Sequence, residues 1–217
     1  VKQRKVSNLM ALSVLATLLE GPMHRYELAA KLRERGKEGQ MDIKWGSLYT
    51  VVQNLEKHGF LEAVGTEREG SRPERTIYRI TDAGHAEAHD WIRELIATVE
   101  PEPNRFVAGL SVAGMLTPDE LIDLLGQRVE RLAELLATSE TQLAEALRFL
   151  PRLFLVEEEF RIAMLRAETD WVRSLRDELA SGAHPSTDWW RRMHVENISP
   201  ARIAEMIERG EIADRAD

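Results

Sequence analysis

Residues 46–61 carry side chains that could read a nucleic acid. Taken as a helix, the segment places Leu48, Val51, Val52 and Leu55 on one face. Ser47, Tyr49, Thr50, Gln53, Asn54 and Lys57 then stand on the other. Hydroxyls, carboxamides and an ammonium can bond base edges or phosphates, so a helix gripped by its back can lay such a front in a major groove. Gly59 is expected to end this helix, because glycine adopts the left-handed backbone cheaply. Residues 60–64 alternate as a strand should, and residues 76–80 are rich in β-branched and aromatic side chains. The linker between them is polar and broken by Gly65, Gly70 and Pro73. The pattern predicts a hairpin with Arg68, Arg72 and Arg75 near its tip, where guanidinium groups can grip phosphate or enter a narrow minor groove. Paired instead to Glu67, Glu69 and Glu74, the same arginines would form an ordinary solvated hairpin.

The elements that would position this segment lie before it. Residues 8–19 read as a helix with Leu9, Leu12, Leu15, Ala16 and Leu19 inward, ended by Gly21 and Pro22. Residues 26–34 read as a second helix with Leu28 and Leu32 inward, and residues 36–40 as a loop. Two helices bracing a third, followed by a basic hairpin, is the layout of a winged helix-turn-helix.

Here the sequence resembles the PadR family of bacterial transcriptional regulators. The resemblance rests on residues 18–28, with Gly21, Pro22, His24, Tyr26 and Glu27. It continues through 46–49, 55–61 and the run from Gly70 past Arg72 and Pro73 to Tyr78–Gly84. It is specific over roughly residues 5–90, and beyond them rests on architecture and the short stretch 166–171. Two positions depart from the family pattern: Arg25 stands where glycine is usual, and Thr50 where proline is usual. The resemblance implies a homodimeric regulator that binds double-stranded DNA at a palindromic operator. It further implies an N-terminal winged helix, a helical dimerisation domain and response to a small hydrophobic or aromatic effector. On that reading the DNA contacts are Arg25, Tyr26, Lys44, Ser47, Tyr49, Thr50, Gln53, Asn54, Lys57, Arg72 and Arg75.

Charge agrees with this division. The 217-residue chain carries a net −8. Residues 1–82 hold 14 Lys and Arg against 11 Asp and Glu, a net of +3, while the remainder holds 15 against 26, a net of −11. Positive charge therefore gathers where counterions would be released from DNA. The absence of cysteine excludes disulfides and thiolate chemistry and suits a reducing cytoplasm. No apolar run is long enough to span a membrane, and no secretory signal is expected.

Residues 82–99 should form a helix, stopped by Pro101 and Pro103. This places a boundary between a DNA-binding domain with its connecting helix, residues 1–99, and a helical dimerisation and effector domain, residues 104–217. In the second, residues 106–115 read as a short apolar helix, with close packing at Gly109 and Gly114. Thr117, Pro118, Asp119 and Glu120 make a strong helix start. The helix they open should run to about residue 149 with a seam of Leu121, Leu125, Val129, Leu132, Leu136, Leu143 and Leu147. Residues 155–180 should follow antiparallel, with Val156, Phe160, Ala163, Ala167, Trp171, Leu175 and Leu179 as their seam. These helices, at ~40–45 Å, are longer than a compact monomer requires, so the seams should also meet a partner chain. The tail, with Trp189, Trp190, Met193, Ile203, Met206 and Ile207, should dock on the helical domain or reach across the dimer. Phe106, Met115, Phe160, Met164 and Trp171 are the candidate effector-binding residues; Phe154 could join them.

Other chemistry finds little support. His85 and His89 share a helix face at i, i+4, but Ala86 replaces the glutamate a zinc hydrolase needs, so no metal is expected. Glu157, Glu158 and Glu159 are consecutive and diverge. There is no phosphate-cradling glycine loop and no serine-hydrolase elbow, so neither a cofactor nor catalysis is expected. The sequence thus predicts a mainly α chain, three helices and a β-hairpin wing followed by an all-helical domain. The alternative functions are a winged-helix module that binds protein, and a MarR-like regulator that dimerises through both termini.

Overall fold

The computed structural model describes residues 4–34, 45–67, 74–100 and 103–212, with the side chain of Trp45 excepted. The chain forms two compact units, Val1–Glu102 and Pro103–Asp217.

The first unit is built around α1 (Leu9–Leu18), which starts where the Asn8 side chain accepts from the Met10 N–H at 2.8 Å. Helix α2 (Arg25–Glu34) buries Leu28 and Leu32. A short 3-10 turn at Trp45–Ser47 leads into α3 (Leu48–Lys57), which buries Leu48, Val51, Val52 and Leu55. Strand β1 (Met23–His24) precedes α2, and β2 (Leu61–Glu67) and β3 (Arg75–Ile80) form the wing. The three strands make an antiparallel sheet in the order β1-β3-β2. Helix α4 (Asp82–Ala97) completes the unit.

Helix α1 departs from its expected stripe. Leu9, Ala16 and Leu19 are exposed, whereas Met10, Ala11, Ser13, Val14, Thr17 and Leu18 are buried with Leu12 and Leu15. The cause is position: α1 packs against α2, α3, α4 and β3, so most of its circumference is core. Its buried hydroxyls cost little because they return to their own helix, Thr17 Oγ1 donating to the Ser13 carbonyl at 2.9 Å. Strand β2 also departs from alternation, with only Leu61 buried. Past its first residues it runs beyond the core, and the register slips between Ala63 and Gly65, a bulge at Val64. In α4, Trp91 and Ala88 are buried but Ile92, Leu95 and Ile96 are exposed.

The end of α3 is locked to the start of α4. Gly59 takes φ +76°, its N–H donates to the Glu56 carbonyl, and the Phe60 N–H donates to the Leu55 carbonyl at 2.9 Å. Those paired bonds are a Schellman stop. Thr81 then caps α4: its hydroxyl accepts from the Gly84 N–H at 3.0 Å and donates to the Gly59 carbonyl at 2.7 Å. A side chain at position 84 would overlap the Phe60 carbonyl oxygen, so glycine is required by close approach. Arg4 secures the chain further along α4. Its side chain is only 4% exposed, bonds Glu87 at 2.6 Å and Glu94, and lies 5.3 Å from the Trp91 ring. Burial disfavours the charge, but the bonds to Glu87 and Glu94 outweigh it and hold the guanidinium above its ordinary pKa.

The second unit is helical. Helix α5 (Arg105–Leu110) is followed by a 3-10 turn at Ala113–Met115. Helix α6 (Pro118–Ala146) begins at Thr117, whose side chain accepts from the Glu120 N–H. A 3-10 turn at Arg152–Leu155 reverses the chain into α7 (Val156–Ser181), then come α8 (Thr187–Val195) and α9 (Pro200–Glu208). The expected close packing at Gly109 and Gly114 is absent, since a side chain at either would meet open space.

Helices α6 and α7 pair antiparallel around Leu121, Leu125, Val129 and Leu132 from one and Val172 and Leu179 from the other. The expected seams are only partly right. Further along α6, Leu136 and Leu143 are half-buried and Leu147 is exposed. Ser139 is buried there instead, accepting from Arg161 at 2.7 Å, and Glu158 raises the Arg161 pKa through its hydrogen bond. On α7 the buried line is Ile162, Thr169, Val172 and Leu179. Val156, Phe160, Ala163, Ala167 and Trp171 lie on an exposed face. Helix α7 carries two apolar stripes, and one neighbouring helix can cover only one of them.

Candidate nucleic-acid interface

Helix α3 is held by its back. Its four buried residues join the core of the first unit, which leaves Tyr49, Thr50, Gln53, Asn54 and Lys57 exposed. Gln53 Nε2 donates to the Tyr49 hydroxyl at 2.7 Å, one helical turn apart. Ser47 differs from the expectation: it is half-buried, with its Oγ 3.8 Å from Met10 Sδ. Its hydroxyl thus touches the core side of the helix at the edge of the polar front.

The start of α2 adjoins this front. The Arg25 guanidinium lies 4.2 Å from the Tyr49 ring centre, a cation–π contact. Tyr26 is 71% exposed. Arg75 opens β3 opposite Glu67, at the tip end of the ladder as expected, with its guanidinium 5.3 Å from the Tyr26 ring. His24, which the sequence reading did not single out, meets Tyr26 edge-on at 6.2 Å. Its Nδ1 accepts from the Glu27 N–H at 3.1 Å, so it caps α2 and positions Tyr26 together. A histidine directly before a helix start was the available signal. Gln53, Tyr49, Arg25, Tyr26 and Arg75 thus form one continuous band. Lys44 and Arg72, like Arg68, lie outside the described residues.

The candidate effector residues do not come together. Phe106 is half-buried beneath the Arg128 guanidinium, 3.8 Å from its ring centre, and meets Trp171 edge-on at 6.2 Å. It borders a cavity of about 600 Å³. Met115 and Trp171 border a different one, of about 1210 Å³. Phe160 and Met164 are exposed on α7 and line neither. Eleven residues of helix separate Phe160 from Trp171, about 16 Å along the axis. One small molecule does not reach all five. The tail docks within its own unit, since Trp190 Nε1 donates to the Leu116 carbonyl at 2.9 Å and Arg191 pairs with Asp119 at 3.1 Å.

Residues 14–90 match the transcriptional regulator PadR-like family. The chain is 26% identical over 139 residues to the negative transcriptional regulator PadR of Bacillus subtilis, 62% of this chain and 75% of that protein. It superposes on the crystal structure of B. subtilis PadR in complex with operator DNA with a TM-score of 0.64. That match has 19% identity and covers 79% of this chain and 99% of that one. The structure of the same regulator with p-coumaric acid gives a TM-score of 0.63 at 18% identity, with 79% and 99% covered.

Residues 14–90 are therefore a PadR-like domain.

The matched residues of this PadR-like chain run from within α1 into α4 and include all three strands. Its two departures from the family pattern both touch the band. Arg25 brings a cation onto Tyr49, and Thr50 leaves an exposed hydroxyl near the start of α3. Among the described residues, no helix is long and apolar enough to cross a membrane, and no group of His, Asp and Glu is placed to hold a metal.

Proposed function

We propose that this PadR-like regulator is a homodimeric, sequence-specific repressor whose grip on DNA is relieved by a small hydrophobic effector. The observation that carries the reading is the exposed polar front of α3, braced by Arg25 on Tyr49. Gln53 and Asn54 are the base readers, because a carboxamide can bond both N6 and N7 of adenine. Tyr49 and Thr50 flank them. Arg25, Tyr26, Lys57 and Arg75 meet the backbone, with Lys44 and Arg72 proposed alongside them, and Ser47 acts through the seating of α3. The exposed stripe of Val156, Phe160 and Trp171 on α7 supports dimerisation. Two recognition helices would then enter major grooves ~34 Å apart on a palindromic operator. Repression and relief are supported by the B. subtilis relative, a negative regulator solved with operator DNA and with p-coumaric acid.

The test is fluorescence anisotropy with DNA from the protein's own promoter. Gln53→Ala and Asn54→Ala should erase discrimination between operator and scrambled DNA. Lys57→Ala and Arg72→Ala should each weaken both DNAs alike and lower the salt slope by about two in a dimer. No measurable affinity at ~50 mM salt would instead favour a protein-binding module.

A further inference from the structure

The cavity of about 1210 Å³ lies between α5, the Ala113–Met115 turn, the C-terminal half of α7 and the α8–α9 tail. Its lining is unlike the rest of the chain. Charged residues make up 30% of the sequence, yet among the described residues no Asp, Glu, Lys or Arg borders it. Three indoles, Trp171, Trp189 and Trp190, border it together with Met193, Ile203 and Ile207. The polar side chains on the lining include Ser186, Asn197, His184 and His194. His184 Nδ1 accepts from the Ser186 N–H at 3.3 Å, which leaves its own proton on Nε2 as a donor.

The two tail helices hold this space differently. Helix α8 is fixed: besides the bonds of Trp190 and Arg191, His194 Nε2 lies 3.2 Å from the Gly114 carbonyl, and Met193 is buried. Helix α9 buries none of its residues. Nine residues are too few for a helix to persist on its own hydrogen bonds, so it depends on packing. Its apolar residues Ile203 and Ile207 border the cavity, where protein atoms do not complete that packing.

We propose that this cavity binds an uncharged, flat, multi-ring molecule, which completes the core beneath α9. Among the described residues a carboxylate would meet no Lys or Arg there and an ammonium no Asp or Glu, a cost that favours neutral ligands. Indole walls suit ring faces. The volume exceeds the ~300–1000 Å³ usual for a small ligand, so several fused rings fit better than one. The stripe offered to a second copy is mostly separate, because Val156, Phe160 and Met164 do not border the cavity. The proposal names the class and place of the effector in the reading above and rests on that reading only for its regulatory meaning.

The experiment titrates the full chain with N-phenyl-1-naphthylamine, a neutral fluorophore, and with its 8-sulfonate. The neutral probe should saturate at one per chain with transfer from tryptophan, and the sulfonate should bind at least about tenfold more weakly. Ile203→Glu should weaken the neutral probe by about tenfold or more, while Ile203→Val and Phe160→Ser leave it unchanged. Equal affinity for both probes would overturn the proposal. So would unaltered binding to Ile203→Glu, or loss of binding in Phe160→Ser, which would assign the probe to a surface between copies. Saturable binding at this site by a chain that holds no DNA would support the site while overturning the regulatory reading.

Discussion

The two units solve the burial problem in opposite ways. In the first, α1 is surrounded, the sheet and four helices share one core, and Met10, Leu15, Leu28, Val52 and Leu55 are almost wholly out of water. In the second, α6 and α7 cover one stripe of each other, and large side chains stay open, with Phe149 and Phe160 84% and 67% exposed. A closed core holds a reading surface in shape unaided. An open one leaves apolar surface uncovered, where a second chain along α7 and a ligand beneath α9 are proposed above.

That contrast can be attacked, beginning with the closed core. Gly84→Ala should cost ~3 kcal/mol, because the new methyl meets a backbone carbonyl that cannot yield. Thermal melting should show the same drop at every protein concentration, and a concentration-dependent drop would erase the contrast. Arg4→Ala should cost ~2 kcal/mol by leaving Glu87 and Glu94 without their shared cation. Chemical denaturation would measure it, with Glu87→Gln restoring part of the loss. Thr117→Ala, which removes the α6 cap, should cost about 1 kcal/mol.

The open unit should respond along a different axis. Phe160→Ser with Met164→Ser should change the chain's intrinsic stability by less than ~0.5 kcal/mol, because both side chains are already exposed. Sedimentation should nevertheless show a shift toward monomer, and the melting temperature should stop rising with concentration. A double variant that stays dimeric would sink the proposed role of α7. The smallest effect concerns Glu159, whose hydrogen bond from Arg152 holds its carboxyl below the usual carboxylate range. A lowered folded pKa stabilises above the ordinary value and ceases to do so as pH falls through the lowered one. The small difference in melting temperature between wild type and Arg152→Ala should therefore close below about pH 4.

Legibility followed the number of neighbours. The inward face of α3 was readable because one side of that helix meets the core, so apolar spacing and burial coincide. Helix α1 was misread because a helix covered over most of its circumference has no narrow stripe to find. Helix α7 was misread for the reverse reason: it has two stripes, and spacing alone does not say which meets α6. Strand β1 is two residues long and exists only through its pairing with β3 some fifty positions later, beyond the reach of local pattern. In the candidate site, the front of α3 was legible but the approach of Arg75 to Tyr26 was not, because it joins residues some fifty positions apart. The cavity was hidden for a similar reason, since its walls come from segments nearly a hundred residues apart.

The knot of Thr81, Gly59 and Gly84 has a mechanical outcome. Helix α4, about 24 Å long, shares its first turn with the last turn of α3 through one hydroxyl and one carbonyl. A lever hinged so tightly has no slack. Because Arg4 and the shared core also hold α4, α3 and α4 turn as one body, and a disturbance of either is felt at the exposed front of α3.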